Sequence, residues 1–435
     1  MENRTVGDNQ LFTSKVISEI HRKADTGLYN IRGYGMFRRV PNFDDLVIIP
    51  AALTRAPLEG YREKCDTTTV LGTRSQNPIV LDAPITIAGM SYGALSANAK
   101  AAIGKAASQA GISSCTGEGG MHPREREYSK TLVYQLLPTR YGFNLEDLLR
   151  ADAVEVACGQ GAKPGTGGLL LGMKVSEDIA RIRDLPAGVD QRSPVRHPDW
   201  FGPDDLPVKL DELREATEWK VPIFLKVGAC RVREDVKLAV KAGADVVVVD
   251  GMEGGTAASP EVMQEHTGLP TLAAVCEAAE ALRELGMQDE VQLVVSGGIK
   301  SGADIVKALA LGATCVSIGT AALVALGCNR AEYVEDYHAL GTEPGHCYHC
   351  HTGMCPVGVA TQTPDLEARL DVDQAAERLT NYLHALIYEV QMLARACGKG
   401  NVHHMDPTDL RSLTLEAERI TGVPLVGTRG LTDRR

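Results

Sequence analysis

Val291-Gln-Leu-Val-Val-Ser296-Gly297-Gly298-Ile-Lys-Ser-Gly302 is an apolar run that breaks into a glycine turn, and a helical pattern follows from Ala303 to Gly312. Its echo comes at once: Thr314-Cys-Val-Ser-Ile318 breaks at Gly319-Thr320-Ala321. These are two strand–turn–helix units in tandem, with β-branched strands and alanine-rich helices. Glycine lets backbone N–H groups converge on an anion at a helix N-terminus. Two such turns on successive strands make the phosphate site after strands 7 and 8 of a (β/α)8 barrel. A few residues on stands Cys347-Tyr-His-Cys350-His-Thr-Gly-Met-Cys355-Pro356. Three closely spaced cysteines with proline after the last have the form of an iron–sulfur run. A phosphate-bearing cofactor beside a metal–sulfur cluster points to electron transfer.

Six more apolar runs precede this pair. They are Ile85 to Gly89, Ile112 to Cys115, Leu132 to Leu136, Ala153 to Cys158, Pro222 to Val227 and Ala244 to Val249. Helical patterns alternate with them, and polar or glycine-rich loops follow the strands. The pattern predicts an α/β chain built on a (β/α)8 TIM barrel. Ser96 and Asn144 read as helix N-caps, and Gly111 as a helix stop. Residues 1–80 read as an N-terminal extension that packs across the barrel without chemistry, with a helix at Ser14 to Lys23 and an extended stretch from Pro41 to Pro57. The barrel occupies 81–325, with an insertion at 159–220. The cysteine loop and C-terminal helices fill 326–435. There, Gln374 to Ala396 is helical, with a stripe of Leu379, Leu383, Leu386, Ile387, Val390 and Leu393. A second short helix is expected at Pro407 to Leu413, capped by Asp406.

The chain has 435 residues, 44% of them hydrophobic, and a net charge of −11. That balance argues against nucleic acid or an anionic membrane as the main partner. No apolar run reaches the length of a membrane span, and Met1 to Asp8 shows no apolar signal region. Most of the eleven cysteines stand singly in apolar stretches, as reduced cytoplasmic thiols do.

Candidate chemistry collects in the loops after the strands. After strand 4, Gly159-Gln160-Gly-Ala-Lys163-Pro164 presents an amide and an ammonium where a barrel active site lies. Lys163 and Arg183 could clamp a dicarboxylate, the arginine in bidentate fashion; the alternative is a pair of solvated surface cations. Lys226 sits inside an apolar strand, where lysine is rarely present for packing. It could face an anionic ring edge, a phosphate or a Schiff-base substrate. Glu118, between glycines after strand 2, is either an acid/base or an exposed loop carboxylate. The cysteines admit an iron–sulfur cluster on the three thiolates, or zinc on Cys347, Cys350, Cys355 and one of His346, His349 or His351.

With these residues laid out, the chain resembles the FMN-binding domain of glutamate synthases. The resemblance runs from about Thr86 to Gln362. It is carried by Gly89-Met-Ser-Tyr-Gly-Ala-Leu-Ser96, Thr116-Gly-Glu-Gly-Gly120, Gln160-Gly-Ala-Lys-Pro-Gly165, Gly254-Gly-Thr256, Gly297-Gly298 and Cys355-Pro-Val-Gly-Val-Ala-Thr-Gln362. It implies FMN, a [3Fe-4S] cluster and 2-oxoglutarate, with reduced FMN delivering hydride to 2-iminoglutarate. FMN would be held by Gly89, Met90, Ser91, Gln135, Lys226, Gly254, Gly255, Thr256, Gly297, Gly298, Gly319 and Thr320. Gln160, Lys163 and Arg183 would hold the oxoacid, and Glu118 would stand at the reacting centre. Cys347, Cys350 and Cys355 would take the cluster. One departure is that Leu326-Gly327-Cys328 is separated from Cys350 by an insertion, Asn329 to His346. Cys347 then becomes the better first ligand and Cys328 the spare. No cysteine nucleophile follows Met1, and a β-helical domain is not found. The resemblance therefore implies a catalytic subunit of a hetero-oligomer, like the large subunit of N-methylglutamate synthase, working with separate amidotransferase and β-helical partners. Ordinary glutamate synthesis, another FMN-dependent barrel oxidoreductase and a non-enzymatic electron carrier are the competing expectations.

Overall fold

The computed structural model describes residues 11–428; the reading of Met1 to Asp8 lies outside them. Eight parallel strands form one sheet: β1 (Ile85–Ile87), β2 (Ser114–Cys115), β3 (Leu132–Leu136), β4 (Ala153–Ala157), β5 (Ile223–Gly228), β6 (Val246–Asp250), β7 (Gln292–Ser296) and β8 (Cys315–Ile318). Each strand pairs with its neighbours in sequence, and β8 pairs with β1. The ring closes between β1 and β2, where Ile87 N–H donates to Ser113 O at 2.9 Å. The expected (β/α)8 barrel is the observed fold.

Side-chain alternation builds two cores. Along β6, Val246 and Val248 share the barrel interior with Val133, Phe224, Val294 and Cys315, while Val247 and Val249 face the helices. Both faces of each strand are covered, which is why the runs read as continuously apolar. A hairpin, Thr69–Leu71 with Ile79–Leu81, sends Leu71, Ile79 and Leu81 into the interior cluster. Gly72 N–H donates to Gln292 Oε1 at 2.8 Å, at the start of β7, so this hairpin plugs the N-terminal mouth. The end at which the strands finish stays open for a site.

Helices begin where capping side chains allow. Ser96 and Asn144 accept from the N3 amides of their helices, and Ser301 forms a capping box with Asp304. The long helix Val372–Ala396 buries Leu379, Leu383, Leu386 and Val390 and packs on Ala97–Gln109. The helix expected at Pro407 to Leu413 is a correction. Pro407–Asp409 is a single 3-10 turn, and Leu410–Ser412 is a strand antiparallel to Leu46–Ile48. Edge pairing with a distant segment outweighs a seven-residue helical pattern, which is too short to repay its own nucleation. Ile31–Tyr34 pairs antiparallel with Thr256–Pro260 and lies over the open end of the barrel. No helix among the described residues is long and apolar enough to cross a membrane.

Candidate active site

The open end holds a cavity of about 730 Å³, a volume suited to a cofactor with a small substrate. Its floor is a polar layer on the same alternation that makes the apolar core beneath. Gln135 Nε2 donates to Glu155 Oε1 at 2.5 Å. Lys226 Nζ stands 3.5 Å from Asp250, and Ser296 Oγ donates to Asp250 Oδ1 at 2.5 Å. Burial works against the Lys226 ammonium, but the Asp250 and Glu155 carboxylates outweigh it and raise its pKa. Lys226 therefore remains a fixed cation on the barrel axis, not a snorkelling side chain. The sequence reading missed Glu155 and Asp250. Their signal was the same as that of Lys226: a charge at an inward position of an apolar strand.

One end of the cavity is built for an anion. Gly297 and Gly298 take φ of +112° and +73° after β7, a region that disfavours any side chain. A Cβ on Gly297 would also lie 2.5 Å from Thr271 Oγ1. The amides of Gly298, Ile299, Gly319 and Thr320 have no protein acceptor among the described residues. Gly254, Gly255 and Thr256 form the adjacent wall, where a Cβ on Gly255 would lie 2.4 Å from Thr320 Oγ1. Gly89, Met90, Ser91 and Gln135 line the opposite wall.

The loops after β1 and β2 are braced from below. The fully buried Lys100 donates to Met90 O at 2.6 Å and Thr116 O at 2.9 Å, and pairs with buried Glu125 at 2.7 Å. The second loop carries Glu118, whose Oε1 accepts from Thr139 Oγ1 at 2.8 Å and from Ser193 Oγ. Glu118 is therefore a held, inward carboxylate. Gln160 and Lys163 share the cavity with it. Lys163 is 3% exposed and donates to Ala258 O at 2.7 Å. Burial pushes its pKa down to about 8, against the pull of the Glu118 charge.

Arg183 requires a correction. It is buried, so it is not a solvated cation, but it does not line the cavity beside Lys163. Its guanidinium donates to Tyr92 O at 2.7 Å, Gln191 Oε1 at 2.9 Å and Glu118 O at 3.2 Å, with Nε left without a partner. It supports the Glu118 loop from behind and forms no clamp with Lys163. The other flavin, oxoacid and cysteine candidates all line the one cavity, whereas of the three histidines named as zinc ligands only His349 does.

At the far end, Cys347, Cys350 and Cys355 are joined by Cys328, the supposed spare. Burial raises Cys328 and Cys350, and in both the neighbouring thiols raise it further. Lys174 donates to Cys350 O at 2.9 Å, and Gly33 packs under the Cys350 side chain. Tyr34 and Met36 also line the cavity, so the N-terminal extension contributes directly to the site. Among the described residues no three His, Cys, Asp or Glu side chains converge as the shell of a single metal ion. In an iron–sulfur cluster the thiolates bind separate irons, so convergence on one point is not what such a group requires.

Comparison with known proteins adds to this geometry. A family model described as a conserved region in glutamate synthase matches residues 54–400. A glutamate synthase large subunit-like protein of Rhizobium meliloti is 57% identical over 418 residues, covering 96% of this chain and 95% of that protein. An archaeal glutamate synthase [NADPH] of Methanocaldococcus jannaschii is 35% identical, over 94% of this chain and 81% of that one. Among solved structures, an (S)-mandelate dehydrogenase described as a monotopic membrane protein superposes with a TM-score of 0.53. It is 14% identical and covers 85% of this chain and 89% of that chain, a likeness of fold alone.

Proposed function

We propose, because this chain belongs to the glutamate synthase family, that it is the catalytic subunit of an amine-exchanging enzyme. The enzyme converts glutamate and methylamine into N-methylglutamate and ammonia by way of 2-iminoglutarate. The observation that carries this reading is a single cavity joining two amide-lined glycine turns, a buried lysine–carboxylate corner and a ring of thiols.

The residues fit FMN. Gly298, Gly319 and Thr320 offer unpaired amides to its phosphate, and Gly297 makes the turn that presents them. Gly89, Met90, Ser91, Gln135, Lys226, Gly254, Gly255 and Thr256 make the remaining wall. Bound FMN supplies a two-electron acceptor and donor beside the fixed Lys226 cation. The thiol ring fits an iron–sulfur cluster, of the [3Fe-4S] type if Cys347, Cys350 and Cys355 alone hold it.

Gln160 and Lys163 bind a carboxylate of glutamate or 2-oxoglutarate, the lysine through a charge-assisted hydrogen bond. Glu118, oriented by Thr139 and Ser193, exchanges a proton with the amine nitrogen. Arg183 holds the backbone of that loop. Glutamate loses two electrons and two protons in becoming 2-iminoglutarate. Methylamine then displaces ammonia, and the same electrons and protons return to the new imine. The cycle is redox-neutral and needs no external reductant.

Net glutamate synthesis would need two electrons per turnover, and the chain carries no Gly-x-Gly-x-x-Gly fingerprint for a nicotinamide cofactor. Those electrons would come through a partner. The kinship to a large subunit-like protein supports a subunit of a hetero-oligomer; in this proposal the complex is cytoplasmic and its other subunits are amidotransferase-like and β-helical. The test is anaerobic turnover of glutamate plus methylamine by the complete complex without NAD(P)H or ferredoxin. N-methylglutamate is the expected product. Its absence, with glutamate formed from 2-oxoglutarate and glutamine once a reductant is supplied, would establish ordinary glutamate synthesis instead.

A further inference from the structure

We infer that Cys328 and Cys347 are both cluster ligands, so that with Cys350 and Cys355 they present four thiolates to a four-iron, four-sulfide core, and that the Tyr337 hydroxyl donates a hydrogen bond to it. The inference rests on the iron–sulfur reading above and changes its ligand count.

The insertion Asn329 to His346 seemed to move one cysteine away and substitute another. In the fold it does not separate them. Asn329 adopts φ +64°, a left-handed conformation that asparagine tolerates better than most residues, and turns the chain back immediately after Cys328. Its side chain then holds the returning end of the insertion. Oδ1 accepts from Cys347 N–H at 2.9 Å and from Gly345 N–H at 3.1 Å. Nδ2 donates to Tyr34 Oη at 3.1 Å and lies 3.7 Å from Cys328 Sγ. One amide thus seats Cys347 beside Cys328, and both thiols line the cavity that Cys350 and Cys355 line.

A second observation is independent of the cysteines. Tyr337, from the same insertion, is 1% exposed and lines this cavity, yet its hydroxyl has no protein partner. A buried phenol without a partner is costly. Sulfide and thiolate sulfurs accept hydrogen bonds from such groups, and these bonds tune the cluster potential. Four thiolates are the usual ligand set of a cubane, whereas three leave one corner without protein support. The insertion therefore supplies both the fourth ligand and a donor to the core.

The test uses the complete complex purified without oxygen. Iron and acid-labile sulfide should be equal, at four of each per flavin, and the oxidised protein should be silent in electron paramagnetic resonance until reduced. Cys328→Ser and Cys347→Ser should each keep flavin and each acquire the paramagnetic signal of an oxidised three-iron cluster. Tyr337→Phe should keep the iron count and lower the midpoint potential. Three irons per flavin with that signal already in the unaltered complex would overturn the four-thiolate set, and the serine variant that leaves the signal unchanged would identify the spare thiol. An unchanged potential in Tyr337→Phe would remove the tyrosine from the scheme. A single zinc per chain, or no acid-labile sulfide, would overturn the iron–sulfur reading itself. Should a serine variant lose its flavin, the stoichiometry of the unaltered complex still decides.

Discussion

The affinity for 2-oxoglutarate should fall as pH rises through about 8, and Lys163 is the cause. Its ammonium donates to one protein acceptor, Ala258 O, leaving two N–H groups for a ligand carboxylate. Burial lowers its pKa to about 8, with Glu118 opposing the fall. A carboxylate needs the charged form, so binding above that value takes up a proton. With a pKa of about 8, roughly nine-tenths of the lysine is charged at pH ~7 and roughly one-tenth at pH ~9, so Kd should rise about tenfold between them. Replacing the ammonium removes a charge-assisted hydrogen bond worth about 1.5–3 kcal/mol, so Lys163→Ala should weaken binding about ten- to a hundredfold near neutrality. The pH dependence should vanish in the same variant. Glu118→Gln withdraws the opposing charge and should move the break below 8. The assay is titration of the oxoacid into the flavin-loaded complex, followed by flavin absorbance across the neutral-to-alkaline range. A flat profile for the unaltered protein, or the same sloping profile in Lys163→Ala, would refute the assignment of Lys163 to the carboxylate.

Other expectations concern the frame around that site. Gly297→Ala forces a side chain onto φ +112° and against Thr271 Oγ1, so FMN affinity should drop by about 1–3 kcal/mol while the oxoacid profile keeps its shape; flavin release on dilution measures it. Lys100→Met leaves Glu125 buried without its cation and should cost about 3–5 kcal/mol of stability, read as a lower Tm. Adding Glu125→Leu should restore much of it, and a double variant no better than the single one would exclude the pair as the cause. Arg183→Met should weaken oxoacid binding by loosening the Glu118 loop, with flavin occupancy unchanged; equal loss of flavin would place Arg183 at the cofactor instead.

The barrel was legible because its signals are local. Strands β5 to β8 are mostly apolar runs that end at or lead into a glycine, and both properties are readable within ten residues. Strand β2 is faint because only Ser114 and Cys115 extend the ladder before the glycine loop begins. Site residues were legible where chemistry contradicts context, as with Lys226 in an apolar strand or Glu118 among glycines. Glu155 carried the same contradiction and was overlooked because a lone glutamate in a strand also reads as an outward side chain. Arg183 shows the limit of spacing. Its position on a helix gives no indication that the guanidinium turns away from the cavity towards Tyr92 O and Glu118 O. The roles of Tyr34 and Tyr337 depend on chain crossings that no local pattern encodes.

One such crossing has a consequence for biosynthesis. Gly33 N–H donates to Tyr348 O at 2.8 Å, and the strand beginning at Ile31 is pinned along Thr256–Pro260. Residues near position 33 must therefore wait for a partner made some three hundred residues later before the roof over the cysteines can close. Contacts of such separation form late, after local strand–helix units have condensed. A ligand bound beneath this roof, as in the proposed function, would touch both sides of that crossing, so its binding would favour the docked roof and stabilise the folded chain.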